Sequence, residues 1–241
     1  MATELRVCWL YPTLLSMNGD RGNLVILRRR CERRGIAFRL EHAGIGDRLG
    51  GPFDLIYLGG GQDVDQRQAA ADLVATKADD LRHAAAAGTV VLGVIGGFQL
   101  LGRSVDTGAS VVDGAGLVDA TTARGDERLI GATVVDVDLP GGRVLAGYEN
   151  HAGRTTLGPG VEPLGRVRGG PGNDGESGLE GLRSGTVFGT YLRGPLFLAN
   201  AWFADELIAL ALGGPALEPL DDALEDQAHR SYLRRVPAAR P

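Results

Sequence analysis

The sequence predicts an α/β fold: an open, mostly parallel sheet with helices on both faces, continued by a β-rich C-terminal half. Strand-like apolar runs alternate with helical stretches through the first part of the chain. Those runs are continuously apolar rather than alternating, as strands covered on both faces are. After about Gly114 the pattern changes to short β-rich pieces.

Residues 6–10 form a short, partly β-branched apolar run that ends at Tyr11-Pro12 and reads as the first buried strand. A polar turn over 17–23 leads into a helix with Asn23 as its N-cap, running through Leu24, Ile26, Leu27 and Cys31 to about Arg34 and ended by Gly35. Arg28, Arg29, Arg30, Arg33 and Arg34 crowd that helix and read as a solvated face near its C-terminus rather than a partner surface. Residues 37–40 and 53–58 are further strands, the second running directly into Gly59-Gly60-Gly61. An alanine-rich helix over about 64–87 precedes a continuous apolar strand over 89–94, then Gly96-Gly97 and a helical run over 98–101.

Beyond that, β-rich pieces fall at 130–137, 143–147, 164–168 and 185–191. The glycine- and acid-rich stretch over 169–185 reads as a mobile loop. Two helices close the chain, over 201–212 and 221–235. In the second, Asp221, Asp222, Glu225 and Asp226 lie early and Arg230, Arg234 and Arg235 late, an asymmetry that suits the helix dipole.

The length of 241 residues, without a long linker or internal repeat, fits a single domain over 1–241. Glycine is common, at 38 residues, yet there is no Gly-X-Y period and 44% of residues are hydrophobic, which excludes collagen and disorder. The net charge is −5 and Lys77 is the only lysine, so the chain does not read as a nucleic-acid binder. Cys8 and Cys31 are too few for a disulfide framework and have no metal-site spacing, which points to the reducing cytoplasm. The uncharged stretch over 84–102 approaches spanning length, but five glycines and Gln99 break it into a strand between turns, so no membrane span is expected.

Ligands in open α/β sheets bind at the carboxyl ends of strands. Here those ends carry Gly59-Gly60-Gly61-Gln62-Asp63 and Gly93-Val94-Ile95-Gly96-Gly97. The first can bring backbone N–H groups close to an anion or oxyanion, and the second is a strand–turn–helix of the nucleophile-elbow kind. Each, taken alone, is equally a plain glycine turn. Neither matches a P-loop or a GxGxxG fingerprint.

Together with Gly19-Asp20-Arg21-Gly22-Asn23, Gly147-Tyr148-Glu149-Asn150-His151 and Gly189-Thr190-Tyr191-Leu192-Arg193-Gly194-Pro195 they form a recognisable set in order and spacing. The chain resembles the GatD-type glutaminase subunits of lipid II isoglutaminyl synthase, a branch of the CobB/CobQ-like class I glutamine amidotransferases. The resemblance implies a flavodoxin-like, class I amidotransferase-like sheet, no cofactor and no metal. It also implies a MurT-like Mur ligase subunit as partner in a heterodimer. Such pairs hydrolyse glutamine and pass ammonia to the ligase, which amidates the D-glutamate of the peptidoglycan precursor.

The family's elbow presents a cysteine that a histidine activates. Carried over residue by residue, the nucleophile position is Ile95 and the histidine position is Arg193. Isoleucine has no lone pair with which to attack a carboxamide, and arginine stays protonated and cannot act as a general base. The chain therefore reads as a pseudoenzyme of its family. The resemblance leaves Gly60, Gly61, Gln99 and Arg128 as substrate-binding positions, Arg128 matching the arginine that holds the glutamine α-carboxylate. Glu149, Asn150 and Arg154 read as a turn network. Arg193 is expected beside Ile95 with Glu149 or Asp20 as its partner. The alternatives are an active glutaminase using a non-family nucleophile, and a noncatalytic module binding glutamine or another small anion.

Overall fold

The computed structural model describes residues 3–139, 143–214, 216–234 and 236. Its first sheet contains β1 (Glu4–Leu10), β2 (Ala37–Ala43), β3 (Leu55–Leu58) and β4 (Val90–Val94). Between them run α1 (Asp20–Glu32), α2 (Asp63–Asp72), a π-helical turn (Leu73–Lys77) and α3 (Ala78–Ala86). After β4 come α4 (Gly96–Leu101), β5 (Ser104–Asp106), β6 (Val111–Asp113), β7 (Ala120–Val137), β8 (Arg143–Leu157), β9 (Gly165–Gly169) and β10 (Leu179–Glu180). The chain continues through β11 (Leu182–Ser184), β12 (Val187–Thr190), α5 (Leu196–Ala199), α6 (Ala201–Ala211) and α7 (Ala223–Leu233).

The first sheet has the order β11-β12-β4-β3-β1-β2 and is parallel except where β11 meets β12. Its central strands are buried on both faces, which is why they read as unbroken apolar runs. Alternate residues of β1 serve different cores: Val7 and Trp9 pack with Leu24 and Leu27 of α1 and Phe203 and Leu207 of α6, whereas Cys8 and Leu10 pack with Ala69, Leu73 and Leu81. A second sheet, ordered β10-β9-β7-β5-β6 with β8 on β7, carries the β-rich half. Its short predicted pieces merge into one long hairpin, because β7 and β8 pair along nearly their whole length with a register shift between Arg124 and Leu129.

Several expectations are corrected. α1 begins at Asp20, not after Asn23, because Gly19 turns the chain at φ 83° and the Asn23 side chain is drawn into the core. There Asn23 Nδ2 donates to the Tyr57 hydroxyl (2.9 Å) and its Oδ1 accepts from Phe197 N (3.2 Å). The helix expected over 64–87 is interrupted by the π-helical turn, which buries Lys77 against Asp72 and over the Tyr11 ring. The stretch over 169–185 is not a free loop: it contains β10 and β11, and Asn173 and Glu180 are buried in it. The final helix ends at Leu233, and Arg235 lies outside the described residues. Among the described residues no helix is long and apolar enough to cross a membrane.

The arginines of α1 divide. Arg30 and Arg34 are not solvated: their side chains are 3% and 4% exposed and converge on Asp205 of α6 at 2.5–2.9 Å, while Arg30 also holds Asp222. Burial pushes the Arg30 guanidinium down, and the two aspartates more than offset it, leaving it raised. Replacing Asp205 leaves buried Arg34 without a carboxylate and buried Arg30 with Asp222 alone. Asp205→Ala is therefore expected to lower unfolding free energy by about 3–5 kcal/mol in urea titrations, and a loss below about 1 kcal/mol would show that these pairs are solvent-screened.

Candidate functional site

The site sits where β3, β4 and β12 end side by side. β3 runs into Gly59, β4 into Ile95 and β12 into Tyr191. The Ile95 N–H donates to Thr190 O (2.9 Å), and Gly97 N–H donates to Gly59 O (2.8 Å), stitching the three ends together. Ile95 stands at φ 52°, ψ −107°, a conformation that an L residue with a branched Cβ rarely adopts. α4 starts immediately after it. The geometry is that of a nucleophile elbow, with a side chain that has no nucleophile.

Glycines make this crossing possible. A Cβ on Gly97 would stand 2.3 Å from Leu58 O, and one on Gly60 would stand 2.5 Å from Asn18 Nδ2 and 3.2 Å from the Ile95 Cβ. The Gly59 loop therefore faces Ile95, as the sequence predicts. The loop is held from beneath by Asp20, whose carboxylate accepts from the Tyr57 hydroxyl (2.6 Å), from Asn18 N–H (3.0 Å) and from Gly60 N–H. Burial raises Asp20, while these donors pull it back down.

Arg193 leaves β12 beside the elbow but finds neither expected carboxylate. Its Nη1 donates to Asn18 Oδ1 (2.8 Å), its backbone N–H donates to Tyr148 O (2.9 Å), and its guanidinium lies 5.8 Å from the Tyr148 ring centre. Asp20 is occupied by Tyr57, and Glu149 is fully buried against His151. Asn18 thus accepts from Arg193 and lies close against Gly60, a contact that no local pattern around Met17 announced.

In front of Ile95 lies a cleft of about 60 Å³, lined among others by Gly61, Gln66, Gln99, Arg128, Asn150 and His151. That is far below the roughly 300–1,000 Å³ of ordinary ligand pockets. Ile95, only 9% exposed, forms part of its wall. The Gln99 amide is spent within the protein: its Oε1 accepts from Gln66 Nε2 (2.7 Å), and its Nε2 donates to the Tyr191 hydroxyl (3.0 Å). Tyr191 in turn shares a hydrogen with Thr155 (2.6 Å), and Thr155 with Thr122 (2.8 Å). Arg128 reaches the cleft from β7, where its Nε donates to Asn150 Oδ1 (2.6 Å) and its Nη2 to Asn150 O (2.9 Å). Its Nη1 has no partner in that arrangement, so Arg128 keeps a donor for an anion. Of the four binding positions read from the sequence, Gly61, Gln99 and Arg128 line the cleft, and Gly60 supports it from the side.

No substitute nucleophile stands nearby. Cys8 and Cys31 are buried on opposite faces of the first sheet, and burial pushes both thiols up to about 12. Thr107, the only hydroxyl among the described lining residues, donates to Ser110 O.

Behind the cleft, Glu149, His151 and Glu180 are buried together. His151 stacks on Tyr191 with ring centres 3.5 Å apart, its Nδ1 donating to Gly153 O (2.8 Å) and its Nε2 facing Glu149 Oε2 (3.2 Å). Glu180 Oε1 accepts from Thr190 Oγ1 (2.8 Å) and Tyr191 N (2.7 Å), which ties β10 to the end of β12. One oxygen of each glutamate is left without a hydrogen-bond partner. Burial first, and the charge of Glu149 second, push Glu180 up to about 8. Glu180 was missed from sequence because it lies inside a stretch whose composition reads as loop.

A model of the CobB/CobQ-like glutamine amidotransferase domain matches residues 6–201, and the chain belongs to that family. It is 34% identical over 215 residues to the GatD subunit of lipid II isoglutaminyl synthase (glutamine-hydrolyzing) of Streptococcus pneumoniae strain ATCC BAA-255 / R6, covering 87% of this chain and 81% of that one. It is 32% identical over 241 residues to the corresponding subunit of Staphylococcus aureus strain N315, covering 97% and 96%. Among solved structures, PurLQS from Thermotoga maritima aligns with a TM-score of 0.55 at 19% identity, covering 97% of this chain and all of that one, which supports the fold.

The raised Glu180 gives the site a pH signature. Its folded value lies above the ordinary carboxyl value, so protonated Glu180 stabilises the fold at low pH, and that contribution is lost as pH rises from about 4.5 through about 8. Glu180→Gln mimics the protonated form. The stability gap between this variant and the native chain is expected to shift in favour of the variant across that window, read by thermal melts. A gap independent of pH there would show that Glu180 is ionised throughout.

Proposed function

We propose that this chain is the amidotransferase-type subunit of a lipid II-amidating pair, docked on a MurT-like Mur ligase, and that it does not itself hydrolyse glutamine. The observation that carries this reading is the pair at the strand ends: Ile95 in the elbow and Arg193 on the adjoining strand end, in the positions that the family resemblance gives to the cysteine and histidine. The relatives' subunit names support the lipid II part of the reading. The whole chain acts as one such domain in this proposal, and it works in the cytoplasm, where the ligase finds its precursor.

Glutamine hydrolysis needs a thiolate or its equivalent, a base to create it, and donors for the oxyanion. Here the elbow side chain is a hydrocarbon. Arg193 is a permanent cation whose best-aligned N–H is given to Asn18. The cleft in front is too narrow for glutamine without rearrangement. What persists is the scaffold: the elbow, the Gly59 loop and the exposed Arg128. A retained scaffold without chemistry supports a structural or positioning role toward the ligase more than an independent enzyme.

The native chain, with or without its ligase, is expected to release no glutamate from glutamine above a buffer control. Ile95→Cys alone stays silent, because Arg193 still cannot take a proton; glutamate release by that single variant would overturn the assignment of Arg193 to the base position. Affinity purification from the native host is expected to bring down a Mur-ligase-like chain in stoichiometric amount. Recovery of the chain alone would remove the docking half of the proposal.

A further inference from the structure

Helix α1 and the two residues after its end carry six arginines, and four of them meet acids. Arg29 pairs with Glu32, Arg30 with Asp205 and Asp222, Arg33 with Asp222 and Glu225, and Arg34 with Asp205. Arg21 and Arg28 have no carboxylate partner among the described residues. They are two helical turns apart, so they project from the same face of α1. Both line one cavity of about 280 Å³ at the edge of the first sheet, between α1 and the paired ends of β1 and β2.

The cavity's other walls are Trp9, Leu24, Leu40 and His42, together with an exposed valine of α1, and no carboxylate lines it. His42 meets Trp9 edge to face, with ring centres 5.7 Å apart, and Arg28 lies over the neighbouring Phe38 ring at 5.4 Å. Trp9 is 3% exposed, and its indole Nε1–H is shielded from solvent without an acceptor. The native protein otherwise satisfies its indoles: Trp202 Nε1 donates to Val144 O (3.2 Å).

We propose that this cavity is a second ligand site, separate from the cleft at Ile95, for a small carboxylate with an apolar ring or branched body. The two unpaired guanidinium groups supply the charge for the carboxylate, and Trp9, Leu24 and Leu40 supply the apolar wall. The volume suits a single-ring ligand, lying just under the roughly 300–1,000 Å³ of drug-sized sites. The site shares no lining residue with the cleft.

Phenylacetate is the probe. Nitrogen–proton correlation spectra of the labelled full chain contain the indole signals of Trp9 and Trp202, and Trp202 serves as the internal reference. Titration is expected to move the Trp9 signal saturably in the millimolar range, because the ligand packs on the wall that Trp9 forms, while Trp202 stays in place. Arg21→Gln and Arg28→Gln, both at exposed positions, each weaken binding about tenfold, whereas Arg29→Gln does not. Phenylacetamide, which lacks the charge, and inorganic phosphate, which lacks the ring, bind at least about tenfold more weakly. A Trp9 signal that does not move, an affinity indifferent to Arg21 and Arg28, or equal binding of either control overturns the proposal.

Discussion

The turn at Ile95 is the constraint on which the site depends. A β-branched residue at positive φ costs on the order of 1–3 kcal/mol, and Ile95 stands at φ 52°. The cost is borne because the backbone on both sides is already committed. β4 is locked between β3 and β12, the Ile95 N–H is taken by Thr190 O, and α4 must leave at once to bring Gly97 against Leu58. Burial of the isoleucine side chain returns about 1.5–3 kcal/mol, which offsets the strain. The elbow is thus held by its backbone hydrogen bonds and by packing.

That packing has consequences for what the cleft can do. The side chain that offsets the strain is the same one that narrows the cleft. Gln66, Gln99, Tyr191, Thr155 and Thr122 form a buried chain of hydrogen bonds that fixes the floor, and opening the cleft would break bonds that cost more to leave unmade than they contribute when made. Asp20, Tyr57 and Asn23 fix the opposite wall, from the Gly59 loop through to Phe197 of α5. The arrangement is rigid where an enzyme of this fold would need room for its substrate. Rigidity of that kind suits a surface that presents a fixed shape to a partner.

Much of this was legible in the sequence. The unbroken apolar runs at β1, β3 and β4 announced their parallel, doubly covered sheet, and the glycines after β3 and β4 marked the strand ends where the site forms. The strand–turn–helix at Ile95 was readable as well, because it sits inside a compact motif. What escaped depended on contacts between distant residues. Arg30 and Arg34 look solvated until Asp205 and Asp222 arrive from the far end of the chain. Glu180 sits in a glycine-rich stretch whose burial is imposed by β9 and β12, and Asn18 becomes a partner only when Arg193 is brought beside it. Gln99, read as a substrate contact, is claimed first by Gln66 and Tyr191.

The central claim is that the elbow has kept its shape and lost its chemistry. A diazoketone analogue of glutamine tests this most directly, because it alkylates a nucleophile positioned beside the glutamine carbonyl whatever residue supplies it. Intact-mass measurement after incubation, alone and with the proposed ligase partner, is predicted to show the native chain unmodified. A single adduct mapped to Cys8, Cys31 or any hydroxyl of the cleft would contradict the account.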